Sequence, residues 1–368
     1  MTTIEQLDLD GIDDHERAVE AFADRMLQAA IATTDVLAAY LGDRLGWYRS
    51  LAEHGPSTAA DLASRTGTAP RYAREWLEQQ AVAGVLVLQD VEGAEPRFEL
   101  PAAAAEVLTD ESSLAYLAPL ARMFGASAAQ LPALTQAYRD GGGVSWEQLG
   151  VHAREAQADM NRPWFDRLPE ALAGLPEIDA VLRAPGARVA DVGTGAGWSA
   201  IALAAAHPAL RVEGFDVDEP SIDAARANAR AAGVDDRVSF HLLDAARLDE
   251  HGPFDAAFAF ECLHDMPDPV SVLAAMQRAV RAGGPVVVMD EAVADRLVAP
   301  GDDLERLMYG FSLLVCLPDG LSHPASVGTG TVMRPSTLRR YAAEAGFGGV
   351  EVLPIEAFGF FRFCALEA

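Results

Sequence analysis

Apolar residues recur at three- and four-residue spacing from Asp14 to about Leu45, where Val19, Phe22, Met26 and Ala30 fall on one side of a helix. A second pattern starts at Trp47. Ser57 and Thr58 are good N-caps for a short helix ending near Gly67. A helix over about Pro70–Ala83 then sets Tyr72, Trp76, Leu77 and Gln80 along one stripe. VLVLQ, a turn through Glu92–Pro96 and RFEL read as a β-hairpin. Residues 110–185 read as irregular helix, broken by the glycines 141–143; MNRPWFDRL within them gathers Trp164 and Phe165 beside Asn161 and Arg162.

From Arg188 the pattern changes. Strand candidates at 188–193, 211–217, 238–244, 254–263 and 285–291 alternate with helices near 197–206, 219–232 and 268–281. Strands separated by helices of this length form a parallel sheet covered on both faces. DLERLMYGFSLLVCL predicts a helix with Leu304, Leu307, Met308 and Phe311 on one face, and another follows from Ser336 to about Ala345. GVEVLPI and FFRFCAL can pair as an antiparallel hairpin at the sheet edge. The expected domains are residues 1–110, helical with the helix, turn, helix and hairpin order of a winged helix; 111–185, a helical bridge; and 186–368, the α/β domain.

A winged helix raises the question of DNA. The chain carries 28 basic against 55 acidic residues, a formal net charge of −27. Such a field repels phosphate backbones and anionic lipid. Trp47–Asp110 holds five arginines against ten acids, and the second helix sets Glu75 and Glu78 beside Arg71 and Arg74. A dimerisation and lid module is therefore favoured over a duplex reader. No run approaches a membrane span, and the acidic start, MTTIEQLDLDGIDD, is unlike a signal peptide. The three cysteines, Cys262, Cys316 and Cys364, form no paired framework. A cytoplasmic protein without membrane contact is expected.

The chemistry is most legible in DVGTGAGWSAIALAAA, residues 191–206, a strand running into a glycine turn and then a helix. Such a turn lets the backbone approach a ligand at the carboxyl end of a strand. Trp198 occupies the third-glycine position of a dinucleotide fingerprint, which argues against a nicotinamide or flavin dinucleotide. The spacing of Asp191, Gly193, Gly195 and Gly197 instead resembles motif I of class I S-adenosylmethionine (SAM)-dependent methyltransferases, and later strands extend the resemblance. By that resemblance, Asp216 in VEGFDVD takes the ribose hydroxyls and Val217 lies on the adenine face. Asp244 in HLLDAARL reads the adenine amino group beside the Ala245 amide. Asp191 helps fix the methionine ammonium, Phe260 borders the cofactor, and Glu261 either holds that ammonium or faces the acceptor. The implied fold is a Rossmann-like, mostly parallel seven-stranded sheet with an antiparallel C-terminal hairpin, preceded by a mainly α winged-helix domain.

LHDMPD, residues 263–268, resembles the His-Asp loop of small-molecule O-methyltransferases, where the histidine is general base. An imidazole titrates near working pH, which suits that role. The resemblance makes His264 the base and Glu291, 27 residues on, its orienter; the bland alternative is a His264 that caps its loop or bonds Asp265. The Asp/Asn-Pro-Pro-aromatic signature of nucleic-acid amine methylation is absent, and no metal-dependent carboxylate cluster can be assembled, so no metal is expected. Asn161, Trp164, Met308, Tyr309 and Phe311 are candidates to line an acceptor pocket, against a plain core role. The whole chain resembles winged-helix methyltransferases of actinobacterial type, similar in layout to O-methyltransferases of secondary metabolism, which implies methylation of a small, largely apolar acceptor by a homodimer. Two alternatives stay open: a winged-helix regulator that senses SAM or another ligand, and a SAM-binding relative with C-methylating or non-methylating chemistry.

Overall fold

A computed structural model of the protein describes residues 4–89 and 95–367, with the side chains of the first helix from Asp14 on; Glu92–Ala94 of the expected turn lie outside the described residues. The chain divides into two compact units, Met1–Gly125 and Ala126–Ala368.

In the first unit, the helices are α1 (Ile4–Arg44), α2 (Trp47–His54), α3 (Ala59–Thr66), α4 (Pro70–Val82) and α5 (Ala102–Thr109). Strands β1 (Val87–Gln89) and β2 (Arg97–Glu99) pair antiparallel as the expected wing. Of the two predicted caps, Thr58 is the one used. Its Oγ1 accepts from the Asp61 amide at 3.1 Å, and its own amide donates to Asp61 Oδ2 at 3.2 Å, a capping box. Ser57 instead exchanges backbone hydrogen bonds with Phe98, tying α3 to the wing. The predicted α4 stripe holds at Trp76, Leu77 and Gln80, all buried, but Tyr72 is 75 % exposed and Ala73 takes the inner place. Residues 73, 76, 77 and 80 share one face at 100° per residue, and position 72 falls beside it. Gly42 lets α1 approach this core, since a Cβ there would meet the Trp76 ring at 2.4 Å. Arg71 pairs with Glu75, and Arg74 with Glu95, so both α4 cations have acidic partners. On α1, Val19, Phe22 and Met26 are all more than half exposed.

Helix α6 (Ala118–Ala129) crosses the division between units. Helices α7 (Leu131–Asp140), α8 (Trp146–Phe165), α9 (Leu168–Ala173) and α10 (Pro176–Arg183) precede the sheet. Its strands are β3 (Arg188–Val192), β4 (Arg211–Asp216), β5 (Val238–Leu242), β6 (Ala256–Phe260), β7 (Val286–Glu291), β8 (Gly349–Val352) and β9 (Phe361–Glu367), in the order β5-β4-β3-β6-β7-β9-β8. Strands β3 to β7 are parallel; β9 runs antiparallel between β7 and β8, which forms the edge.

Between and after these strands lie α11 (Trp198–Ala206), α12 (Glu219–Ala232), α13 (Pro269–Ala279), α14 (Asp303–Phe311), α15 (Leu317–Ser322) and α16 (Pro335–Ala345). Alternate strand residues face opposite layers. Val189, Phe258 and Met289 pack with Leu168, Leu203 and Ile222 on one face, while Ala190, Ala257 and Val288 pack with Leu273, Met276 and Leu338 on the other. Because β3 has β4 on one side and β6 on the other, the strand order reverses there. The carboxyl ends of these two strands therefore mark the switch point, the place where open α/β sheets bind ligands.

The predicted amphipathic face of α14 is present: Met308 and Phe311 are buried and Leu304 and Leu307 half-buried. A π-helical turn, Ser312–Cys316, joins α14 to α15 and rotates Cys316 inward. No helix among the described residues is long and apolar enough to cross a membrane.

Candidate active site

The glycine turn is built as the spacing requires. Gly193, Gly195 and Gly197 all have positive φ, at 66°, 51° and 81°, a region that disfavours side chains. Two are also sterically committed: a Cβ on Gly193 would meet Cys262 Sγ at 2.7 Å, and one on Gly197 would meet Phe240 at 2.6 Å. Gly195 faces open space, with nothing within 4 Å of a Cβ. Its amide donates to Asp216 Oδ2 at 2.8 Å, and the Asp218 amide donates to Oδ1 at 2.9 Å. Both Asp216 oxygens keep a second lone pair for a ligand, and burial raises the carboxyl's pKa above the usual value.

Asp191 plays a different part. It is 1 % exposed, and its Oδ2 accepts from Thr194 Oγ1 and Ser199 Oγ, each at 2.6 Å. Burial pushes its carboxyl up to about 6, although both hydroxyl bonds favour the charge. It braces the turn from within.

On the nucleoside side, Val217 is 65 % exposed beside the end of β4. Asp244 is exposed and caps the turn Ala245–Glu250 through the Ala246 amide at 2.9 Å, with Ala245 buried behind it. An exposed apolar shelf flanked by a carboxylate on each side suits a flat base on a ribose. The open face of Gly195 leaves room for the chain joining the two ends of the cofactor, so these residues fit SAM.

Helix α8 reaches the residues that follow β4 and β6. Arg154 clasps Asp218 through Nε and Nη2, both at 2.8 Å. Gln157 Nε2 donates to Glu261 Oε1 at 3.2 Å, Asn161 lies near the same carboxyl and favours its charged form, and Arg162 stacks over Trp198 at 4.4 Å. Positions 154, 157 and 161 share one helix face. The spacing of Arg154, Gln157 and Asn161 is the sequence signal for this polar stripe, of which Asn161 is the expected site residue.

Glu261, the residue after β6, has φ 52°, an uncommon conformation for a residue with a side chain. Its amide donates to Met289 O at 2.7 Å, which fixes the bend. Burial pushes its carboxyl up to about 7, and Oε2 is buried with no hydrogen-bond partner.

Behind it lies His264, 2 % exposed, in the short 3-10 turn Leu263–Asp265. Its Nδ1 is 2.8 Å from Asp290 Oδ1 and 3.3 Å from Glu291 Oε2, and its Nε2 is 3.3 Å from Asp265 Oδ1. Only the first contact is a hydrogen bond, since Glu291 Oε2 and Asp265 Oδ1 have no hydrogen-bond partner, so Asp290 is the nearer carboxylate and Glu291 stands second. The signal was present, since MDE ends β7 with two adjacent acids, but only strand register says which one meets the ring.

Burial opposes charge on the imidazole, yet the carboxylates of Asp265, Asp290 and Glu291 outweigh it and hold the pKa well above the ordinary value. Burial works against Asp290 too, and the imidazolium beside it nevertheless keeps that carboxyl low. Glu291 is raised by burial first and then by Asp290, and Asp265 is raised by burial. The surroundings thus favour the charged forms of His264 and Asp290 and disfavour those of Glu291 and Asp265. The Cys316 thiol, delivered by the π-helical turn, also reaches His264 and Asp265. The His264, Asp290 and Glu291 donor atoms lie within 4.8 Å of one another, so they are close enough to share an ion as well as a proton.

The remaining predicted residues lie elsewhere. Phe260 is 4 % exposed, stacked on Phe258 at 5.4 Å. Trp164 packs against Phe358 at 5.5 Å and Phe361 at 5.8 Å. Tyr309 is 38 % exposed, accepts from Arg334 Nη2 at 3.3 Å, and lines a surface hollow with Leu297 and Val298.

Comparison with known proteins gives two family matches: a methyltransferase domain over residues 184–314, and an Rv2258c-like winged helix-turn-helix domain over residues 30–110. The chain is 34 % identical over 190 residues to a 27-O-demethylrifamycin SV methyltransferase of Amycolatopsis mediterranei, covering 50 % of this chain and 60 % of that one. It is 30 % identical over 178 residues to a ubiquinone biosynthesis O-methyltransferase of Aromatoleum aromaticum, covering 48 % of this chain and 70 % of that one. Among solved structures, an O-methyltransferase from neocarzinostatin biosynthesis, in complex with SAM and 2-hydroxy-5-methyl naphthoic acid, superposes with TM-score 0.62 at 21 % identity, covering 91 % of this chain and 96 % of that one. With the glycine turn, the switch point in the strand order and the acidic shelf, these matches establish that the chain belongs to the class I SAM-dependent methyltransferases, with an Rv2258c-like winged helix-turn-helix domain ahead of the methyltransferase fold.

Proposed function

We propose that this protein transfers a methyl group from SAM to a hydroxyl of a small, largely apolar metabolite, with His264 as general base. The observation that carries the reading is the buried imidazole held at 2.8 Å by Asp290, on the loop after β6 and next to the glycine turn. When bound, SAM supplies a methyl group already activated by its sulfonium charge. Asp216 takes the ribose hydroxyls, Val217 and Asp244 take the adenine, and Asp191 holds the turn in shape. Glu261, oriented by Gln157 and Asn161, presents its free oxygen to the cofactor's ammonium, and a cation there stabilises the ionised carboxylate.

Asp290 fixes the ring so that Nε2 points to the acceptor side, and Asp265 must give way for a hydroxyl to reach it. The acceptor proton then passes to Nε2 as the oxygen attacks in line. The matched O-methyltransferases serve rifamycin, ubiquinone and neocarzinostatin biosynthesis by their names, which supports a largely apolar acceptor. The test is incubation with SAM and a panel of phenols and polyketide alcohols, read by mass. A product heavier by one CH₂ that loses it on demethylation of an ether supports the reading; a carbon-bound methyl, or no product from protein that binds SAM, overturns it.

We further propose a homodimer that covers the apolar face of α1. Val19, Phe22 and Met26 are 53 %, 59 % and 55 % exposed, a contiguous surface too apolar for a free helix. Light scattering is expected to give twice the chain mass, and Phe22→Asp with Met26→Asp to give a folded single chain. A parent protein of single-chain mass removes the idea. The acidic partners of Arg71 and Arg74 support a structural rather than DNA-reading front domain. The three thiols, all free, suit the reducing cytoplasm, where we place the protein.

A further inference from the structure

A second donor cluster lies at the β4–β5 edge of the sheet, away from the residues assigned above. Glu213 on β4, His241 on β5 and His251, which closes the turn Ala245–Glu250, bring one oxygen and two ring nitrogens within 4.8 Å of one another. We propose that these three side chains bind one divalent transition-metal ion of the zinc class.

The donor chemistry selects that class. Two imidazoles and one carboxylate suit zinc, cobalt, nickel or copper, whereas magnesium and calcium prefer an all-oxygen set. The spacing agrees with it. His241 Nε2 and Glu213 Oε2 are 3.3 Å apart, and ligands about 2.0–2.1 Å from a tetrahedral centre stand roughly 3.3 Å from each other.

The ligands are also held before any ion arrives. Parallel pairing sets Phe215 opposite His241, and the two rings stack at 4.9 Å. The His251 ring stands edge-on to both, at 4.9 Å from His241 and 5.3 Å from Phe215. Arg188 Nη2 donates to Glu213 Oε1 at 2.5 Å, which orients the carboxylate and leaves Oε2 toward His241. Outer partners of this kind fix ligand geometry. The guanidinium also places a positive charge near the ion, so the expected affinity is micromolar rather than tighter.

All three residues are partly exposed, which leaves the fourth position to water. Ser239 Oγ, 3.3 Å from His241 Nε2, is the neighbouring hydroxyl. Glu213 lies three residues before Asp216 on β4, and His241 on β5 three before Asp244, so the ion would join the two strands that lead to the nucleoside-side acids.

The test is calorimetric titration of the full chain, free of any affinity tag and stripped with EDTA, with zinc chloride, repeated with cobalt for its visible spectrum. One equivalent is expected to bind at micromolar concentration, and cobalt to give the intense absorption of a four-coordinate site. His241→Ala and His251→Gln should each weaken zinc roughly tenfold or more. His251→Gln leaves the His241–Phe215 stack intact, so its melting temperature in EDTA should match the parent's. Absence of saturable binding, or binding that survives both substitutions, overturns the proposal. So does binding lost with Asp290→Asn but kept with His251→Gln, which assigns the ion to the buried His264 group.

Discussion

Asp216→Ala is expected to weaken S-adenosylhomocysteine binding by about 10²–10⁴-fold, measured by calorimetry. Each hydrogen bond from a neutral donor to an ionised carboxylate contributes roughly 1.5–3 kcal/mol, and the ribose offers two. Asp216 also anchors the turn, since it accepts the Gly195 amide at 2.8 Å. Asp216→Asn separates these contributions. It keeps one acceptor oxygen for the turn, so its expected loss is about tenfold, the share of a charge-assisted bond. Affinity within threefold of the parent in the alanine variant would remove the cofactor assignment, and every residue role drawn from it.

Replacing His264 is expected to lower turnover by about 10²–10⁴-fold, the usual contribution of a positioned base, while leaving cofactor affinity within a few fold. The control for folding matters. His264→Ala strips Asp290 of its partner in a buried site, and breaking a buried pair costs about 3–5 kcal/mol. The raised imidazole pKa gives the linkage its sign: stability from the ion pair is full below the unfolded value of about 6.5 and fades as pH rises through the folded value. His264→Asn keeps a polar group against Asp290 and is the better folded comparison.

The pH profile gives a readout that a purely structural histidine does not move. Only the neutral imidazole accepts a proton, and the surrounding carboxylates keep the ring protonated well above its ordinary range. Turnover should therefore climb with pH beyond neutrality. Asp290→Asn removes the nearest carboxylate charge, so the rising limb should move to lower pH. A limb that stays in place in Asp290→Asn, or unchanged turnover in His264→Asn, excludes the base role.

Much of this was legible in the chain. Alternation of strands with helices gives a parallel sheet because a crossover needs a helix to return the chain. The glycines at 193, 195 and 197 announce a turn that no side chain tolerates, and the structure gives each a positive φ. Thr58 with Asp61 three residues on is a capping box readable by spacing alone. Pattern and structure part where a local element meets a neighbour. Tyr72 looked like a member of the α4 stripe, but a helix buries only the side its partners cover, and Ala73 lies there.

The His264 cluster divides the same way. Sequence could propose an imidazole and a following acid, because residue types and rough distance along the chain suffice for that. It could not choose Asp290 over Glu291: both end β7, and the choice depends on how β6, β7 and the Leu263–Asp265 turn are set against one another. Nor could it foresee the bent Glu261, the Gln157 contact or Cys316, which are brought in by a strand end, a helix 104 residues away and a π-helical turn. Periodicity and turn chemistry are local and are written in the order of residues. Which ring nitrogen meets which carboxylate, and which carboxyl stays protonated, depends on distance and burial, and those exist only once the chain has closed around the site.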